Sequence, residues 1–132
     1  MAKKDYILQN ARWLEEKGRE EGVRPLPRGL FYRVIEEGDP DSPTPTMNSV
    51  VTVNYSGSTI DGRVFDSNLG EVAAPFRLRD LIAGWCIALL KMHIGDRWEV
   101  YIPADQAYGK RSQPGIPGGS TLVFDIRLTG IA

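Results

Sequence analysis

The sequence predicts an α+β fold, in which an antiparallel β-sheet wraps around one short amphipathic α-helix and a further helix lies at the N-terminus. Most of the chain after residue 29 alternates apolar and polar residues with the period of a half-buried strand. Short turns separate these runs, as expected for antiparallel strands. Within this region only residues 80–91 show helical spacing, so one helix is available to cover the apolar face of the sheet.

The first element is a helix predicted over residues 5–22, with Asp5 as its N-cap and Gly22 at its end. The side chains spaced along two adjacent stripes of this helix are Tyr6, Asn10, Trp13, Ile7, Ala11 and Leu14. Residues 23–29 follow as a linker stiffened by two prolines. The favoured interpretation is an arm packed on the rest of the protein. A dimerisation helix is the alternative, although the segment is short and lacks sustained heptads.

The remaining elements follow in order. A strand is predicted at residues 30–35, then a polar loop at 36–48, and then a hairpin whose turn is Asp61-Gly62. Further strands are indicated around Phe76, at residues 98–102 and at residues 121–131. In the helix at 80–91, one side carries the apolar residues Leu81, Ile82, Trp85, Leu89 and Met92.

Composition excludes several classes of function. The 132 residues carry a net charge of −1, and the basic residues are scattered, so we expect no nucleic-acid partner and no membrane partner. The single cysteine, Cys86, cannot form an internal disulfide, which fits a reducing compartment. The first residues lack the apolar core of a signal peptide. These features together predict a cytoplasmic protein.

The chemistry that most enzymes use is absent from the sequence. One histidine, His93, and one cysteine are too few for a zinc site, so we expect no metal, and there is no P-loop or dinucleotide motif, so we expect no cofactor. Among the acids, only Asp66 lies where strand geometry aims it at a concave apolar surface. An enzyme built on this sequence must therefore work without a strong nucleophile.

A set of aromatic residues is not simply accounted for by sheet packing. Taken singly, each is more typical of a core than of a site, but Tyr and Trp also favour pocket mouths, where their polar tips find partners. The set is Tyr55, Phe65, Phe76, Trp85, Tyr108 and Phe124.

These residues stand in spaced blocks that resemble the FKBP-type peptidyl-prolyl cis-trans isomerases. The resemblance covers residues 29–132, and each block is weak alone but the whole series in order is specific. The blocks are residues 51–57 (VTVNYSG), 61–62 (DG), 65–67 (FDS), 75–76 (PF), 81–85 (LIAGW), 88–89 (AL), Met92, Gly95, 102–103 (IP), 107–109 (AYG), 116–117 (IP) and 120–125 (STLVFD). The N-terminal helix also resembles that of bacterial members which carry such an arm.

The resemblance implies a domain division and a set of site residues. Residues 1–28 would be the helical arm and linker, and residues 29–132 the isomerase domain. The catalytic residues implied are Tyr55, Phe65, Asp66, Tyr108 and Phe124. The substrate-binding residues implied are Phe76, Leu81, Ile82, Trp85 and Ile116. Gln113, where many relatives have histidine, is a departure that bears on inhibitor binding at the loop after Tyr108.

By resemblance, the function is acceleration of rotation about X–Pro bonds, with a hydrophobic X preferred, assisting protein folding without a covalent intermediate. The partners implied are proline-containing unfolded or loop polypeptides, and macrolide inhibitors are the ligands that the family implies. A monomer is favoured over a dimer formed through the N-terminal helix. Two alternatives stand beside this function. One is a non-catalytic module that holds proline peptides, and the other is an interaction protein acting through Tyr6 and Trp13 of the arm.

Overall fold

A computed structural model describes residues 3–132 and shows the predicted α+β architecture. In this part of the chain, seven strands form one sheet and two α-helices accompany it. In chain order the elements are α1 (Lys3–Lys17), β1 (Val23–Pro25), β2 (Phe31–Glu36), β3 (Val50–Ser58), β4 (Val64–Ser67), β5 (Ala74–Arg77), α2 (Ala83–Leu89), β6 (Arg97–Ile102) and β7 (Leu122–Ile131). Neither helix in residues 3–132 is long and apolar enough to cross a lipid bilayer.

The sheet is antiparallel throughout, with the order β1-β2-β6-β7-β3-β4, and β5 also pairs with β3. Strand β3 is therefore paired along one edge by β7 and along the other by two short strands in succession. Strand β5 pairs with Val50–Val53 of β3, and β4 pairs with Ser56–Ser58. Tyr55 therefore lies at the break between these two partners. This break helps to shape the functional site.

The core lies between the concave face of the sheet and α2. Trp85, Ala88 and Leu89 of this helix are buried against it, and the side chains of Val53 and Val100 meet them from the strands. Apolar side chains from alternate positions of β3, β6 and β7 supply most of the remaining core. Burial of this apolar surface is the main force that holds the helix on the sheet.

The second helix is shorter than the sequence indicated. The predicted span 80–91 contains a 3-10 turn at Leu78–Asp80 and then an α-helix only at Ala83–Leu89. Leu81 and Ile82 between them have extended backbone, with ψ angles of 160° and 153°. The extended segment arises because Leu78 is fully buried and its N–H is bonded to Ser49, which fixes the chain before the helix begins.

The segment predicted as a linker forms an edge strand instead. Val23–Pro25 pairs antiparallel with β2, with Val23 opposite Arg33. Pro25 is tolerated there because an edge strand leaves one row of N–H groups unused. The arm therefore joins the sheet directly, and the domain division at residues 28 and 29 stays a prediction.

Helix α1 packs on the domain, as the favoured interpretation of the arm predicts. Asn10 and Leu14 are buried, and Trp13 packs edge-to-face on Tyr101 with ring centroids 5.9 Å apart. The helix ends at Lys17 rather than Gly22, because residues 18–22 turn back to begin β1. Asp5 lies within the first helical turn and is not its N-cap.

Candidate active site

An open cavity of about 270 Å³ lies beside the break in β3, between the sheet and the start of α2. Nine of the ten predicted site residues line it, brought together from four strands, α2 and two connecting segments. They are Tyr55, Phe65, Asp66, Phe76, Leu81, Ile82, Trp85, Tyr108 and Phe124. Asp80 also lines the cavity, although the sequence suggested only that it starts a helix.

The walls are a box of mutually perpendicular aromatic rings. Trp85 is at its centre, with ring centroids 5.2 Å from Tyr55 and 5.2 Å from Phe124, at interplanar angles of 81° and 86°. Phe65 stands edge-to-face on Phe124 at 5.6 Å, and Phe76 on Tyr55 at 5.9 Å. Edge-to-face pairs of this kind stabilise each other beyond the area they bury.

Trp85 and Phe124 are only 3% and 4% exposed, yet both face the cavity. They form its floor rather than solid packing. The indole Nε1–H of Trp85 is the one buried side-chain polar atom in residues 3–132 without a hydrogen-bond partner. A buried donor left unpaired costs about 1–3 kcal/mol, and such atoms are a feature of functional sites.

A glycine lets two of these rings meet. Gly57 in β3 lies directly beneath the edge-to-face pair of Phe65 and Phe124. A Cβ atom at this position would overlap the ring of Phe124 and come within 2.7 Å of the ring of Phe65. The wall of the cavity therefore depends on the missing side chain at residue 57.

The polar contact at the rim joins Tyr55 to Asp66. The Tyr55 hydroxyl donates a hydrogen bond of 2.7 Å to the Asp66 carboxylate. Burial, together with this bond, raises the pKa of Tyr55 to about 12, because both favour the neutral phenol over the phenolate. The Tyr55 proton is therefore retained throughout the neutral pH range.

Asn68 holds Tyr55 in place, which the sequence did not reveal. Its side-chain Oδ1 accepts a hydrogen bond from the backbone N–H of Tyr55 at 2.7 Å, and its backbone N–H donates to the Tyr55 carbonyl at 3.0 Å. Its Nδ2 donates to the carbonyl of Val53 at 3.1 Å. Asn68 thus replaces a strand partner in the gap between β5 and β4.

The lip of the cavity is more polar than the floor. Tyr108 is 38% exposed, so its hydroxyl can reach a bound peptide, and Asp66 and Asp80 are exposed at the same edge. Ile82 immediately precedes α2, where a backbone N–H has no partner inside the helix. The arrangement offers hydrogen bonds at the entrance and an apolar interior.

Ile116 is the predicted site residue that does not line the cavity. Its side chain is 5% exposed and packs into the core. It points inward because Gln113 and Ile116 pair their backbones in a tight bridge within the loop after Tyr108. A role for Ile116 in substrate contact stays a prediction.

Other features give weaker indications of a site. A larger crevice of about 570 Å³ lies under α1, but its lining is mostly apolar and includes a single aromatic residue, Phe31. In the described chain, no group of three or more His, Cys, Asp or Glu side chains is arranged to hold a metal ion. His93 lies 3.8 Å from Asp96 and is not among the residues that line the aromatic cavity.

The fold and the box define a class of protein: a wrapped antiparallel sheet with an aromatic pocket over the start of its helix. Residues 42–129 match the family described as FKBP-type peptidyl-prolyl cis-trans isomerase. The chain is 42% identical over 126 residues to the FKBP-type 22 kDa peptidyl-prolyl cis-trans isomerase of Escherichia coli (strain K12), covering 93% of this chain and 60% of that one. The chain therefore belongs to the FKBP-type peptidyl-prolyl cis-trans isomerase family.

Solved structures agree with this assignment. The crystal structure of a peptidyl-prolyl cis-trans isomerase from Pseudomonas syringae pv. tomato str. DC3000 superposes with a TM-score of 0.91 at 30% identity, covering 100% of this chain and 97% of that one. FkpA from Escherichia coli superposes with a TM-score of 0.89 at 38% identity, covering 97% and 60%. The chain spans between 47% and 60% of the length of three peptidyl-prolyl cis-trans isomerases that its sequence matches.

Proposed function

We propose that this chain is a peptidyl-prolyl cis-trans isomerase, which accelerates rotation about X–Pro bonds and so assists protein folding. The observation that carries the proposal is the aromatic box of about 270 Å³ with Asp66 and Tyr108 at its entrance. The box is large enough for a proline ring and apolar enough to exclude water from it. Its polar groups suit the carbonyl oxygens of a peptide.

The reaction needs no bond making. Resonance gives the peptide bond a rotational barrier of about 18–20 kcal/mol. Rotation by about 90° breaks this resonance, so the twisted amide has less charge separation than either planar form. Water stabilises the planar forms more, and a pocket that replaces water by Trp85, Phe65 and Phe124 favours the twisted one. This is differential binding of the transition state.

Five residues that line the cavity have a proposed part. Trp85 supports the proline ring from below. Tyr55 presents a ring edge toward the rotating carbonyl, and Asp66 fixes that ring through the 2.7 Å bond. Tyr108 and the Ile82 N–H donate to carbonyls on either side of the proline. Several such contacts of about 1–3 kcal/mol each lower the barrier by about 5–7 kcal/mol, which corresponds to about 10⁴–10⁵-fold in rate.

The test is a protease-free assay, in which NMR exchange measures the cis–trans rate of a Leu-Pro peptide. The wild type is compared with Asp66→Ala and Tyr108→Phe, and we expect strong acceleration by the wild type and a loss of about tenfold in each variant. Asp41→Ala, which removes an exposed carboxylate from the loop between β2 and β3, is the matched control.

The outcomes separate the candidate functions. Acceleration that is lost in the two pocket variants and kept in Asp41→Ala supports the isomerase. A wild type that binds the peptide in this cavity without accelerating exchange contradicts it and identifies a proline-peptide binding module. Macrolide inhibitors of the family are expected to compete with the peptide. Because Gln113, in the loop after Tyr108, stands where many relatives have histidine, we expect the affinity of these inhibitors to differ from that for such relatives.

A monomer is part of the proposal. Trp13 packs on Tyr101, and the Tyr6 hydroxyl lies 2.7 Å from Ser120 of the same chain, so the arm residues that could contact a partner are engaged within the domain. Sedimentation of the full chain tests this, and a dimer that dissociates on Trp13→Ala would favour the arm as an interface. The cytoplasmic location stays a prediction.

A further inference from the structure

Helix α1 contacts the chain immediately behind the loop at the mouth of the cavity. We define this loop, residues 109–119, as the flap. Its ends meet where the Gly119 N–H donates to the Gly109 carbonyl at 2.8 Å, and Gln113 and Ile116 exchange two backbone bonds of 2.9 Å within it. The flap is therefore a closed unit, and its base adjoins Tyr108 at the lip of the cavity.

Three hydrogen bonds tie α1 to the residues that follow the flap. The Oδ1 of Asn10 accepts from the Thr121 N–H at 2.9 Å, and the Asn10 carbonyl accepts from the Thr121 hydroxyl at 3.2 Å. The Tyr6 hydroxyl lies 2.7 Å from the Ser120 hydroxyl. We call these three bonds the clasp.

Asn10 is suited to this position in a way that few residues are. It is 1% exposed, and its Nδ2 also donates to the carbonyl of Tyr6 at 2.9 Å. One amide thus accepts from the flap side and donates to its own helix. An apolar residue here would bury more hydrocarbon but leave the Thr121 N–H unpaired, which is costly in a buried place.

The flap is held between α1 and the wall of the cavity. Gly119, at a φ of +83°, lies so close to Ile7 of α1 that a Cβ atom would overlap the Ile7 side chain. On the other side, a Cβ at Gly115 would lie 3.1 Å from the Cβ of Phe65. A shift of α1 would therefore be transmitted through residues 119–121 to the flap that lies against Phe65.

We propose that Asn10 is a positioning residue, which acts through Thr121 to set the position of the flap and hence the affinity for proline peptides. This inference rests on the proposed function of the cavity. The clasp bonds reach only residues 120 and 121, and none of them involves a side chain that lines the cavity. The helix therefore governs KM, and the aromatic box governs kcat.

The test measures KM and kcat separately on the same Leu-Pro peptide. Asn10→Ala is expected to raise KM about 3- to 10-fold, the equivalent of one or two net hydrogen bonds, with kcat within about twofold. Thr121→Val removes the hydroxyl donor and is expected to raise KM. Thr121→Ser keeps the donor, so its KM should equal that of the wild type. Hydrogen exchange of flap amides should become faster in Asn10→Ala, with exchange in β3 unchanged.

The matched control is Asp96→Asn. Asp96 is also a buried polar residue that accepts from two backbone amides, those of Gly38 at 2.7 Å and His93 at 2.8 Å. It immediately precedes β6, whereas the flap follows the far end of that strand, about 20 Å away. This variant should lose stability without a change in KM.

Raised KM and faster flap exchange in Asn10→Ala, with neither in Asp96→Asn, support the proposal. An unchanged KM, equal effects in the two variants or a flap whose exchange is unchanged would overturn it. If the wild type itself fails to accelerate the reaction, the proposed function has failed, and the peptide's Kd takes the place of KM. In that case a higher Kd in Asn10→Ala with faster flap exchange still supports the clasp, and an unchanged Kd rejects it.

Discussion

Replacing Gly57 by alanine tests whether the aromatic box is the working part of this protein. The new methyl group would overlap the Phe124 ring and come within 2.7 Å of the Phe65 ring. Both rings line the cavity, so they must move toward the space that the proline ring needs. The perturbation therefore adds no polar group and removes no contact, but it narrows the site.

The structure gives two magnitudes for Gly57→Ala. Overpacking of this kind costs about 1–3 kcal/mol of folding free energy. Displacement of reacting surfaces by about 1 Å can cost about 100-fold in rate, so we expect kcat/KM to fall about 10- to 100-fold. The assay is NMR exchange of a Leu-Pro peptide, accompanied by a urea denaturation curve for each variant.

Gly62→Ala provides the matched control. Gly62 has a φ of +85° at the turn between β3 and β4, and a Cβ there meets nothing within 4 Å. Alanine in this conformation costs about 1–2 kcal/mol through backbone strain alone. We expect comparable destabilisation with unchanged kcat/KM. If Gly57→Ala stays folded and fully active, or if both variants lose activity equally, the reasoning about the box is refuted.

Two further perturbations address the support of the site and of the sheet. Asn68→Ala removes the side-chain hydrogen bonds to Tyr55 and Val53. We therefore expect the free energy of unfolding to fall by about 1–3 kcal/mol and kcat to decrease. A variant that is as stable and as active as the wild type would contradict this. Asp125→Asn weakens a partly exposed ion pair with Arg97, in which the two hydrogen bonds measure 2.7 and 3.0 Å. We expect the free energy of unfolding to fall by about 1 kcal/mol or less, in a salt-dependent way, with unchanged activity. Lower activity would show that this side of the sheet matters to the site.

The fold and most of the cavity could be predicted because they depend on local pattern. Alternation predicted the strands that carry Tyr55 and Phe124, and helical spacing predicted that Trp85 lies on the apolar side of its helix. The spaced family blocks then assembled nine of the ten residues that line the cavity. Each of these inferences needs only the period of a single element or a match in sequence.

What the sequence missed depends on pairing between distant segments. Asn68 has a role because β5 and β4 leave a gap beside Tyr55, and no local pattern reveals that gap. The segment 23–25 becomes a strand only because β2 offers it a free edge. Asn10 looked like one of several residues along a helix, and its bonds to Thr121 span 111 positions of the chain.

The central claim is that the box lowers the barrier to amide rotation without moving a proton. With a pKa of about 12, Tyr55 keeps its proton far above neutral pH, and the proposed mechanism contains no step that transfers a proton. The most direct measurement is the exchange rate of a Leu-Pro peptide with the wild type between about pH 6 and 9, in H₂O and in D₂O. The account predicts acceleration that is independent of pH and of isotope. A bell-shaped pH profile, a marked slowing in D₂O or no acceleration at all would contradict it.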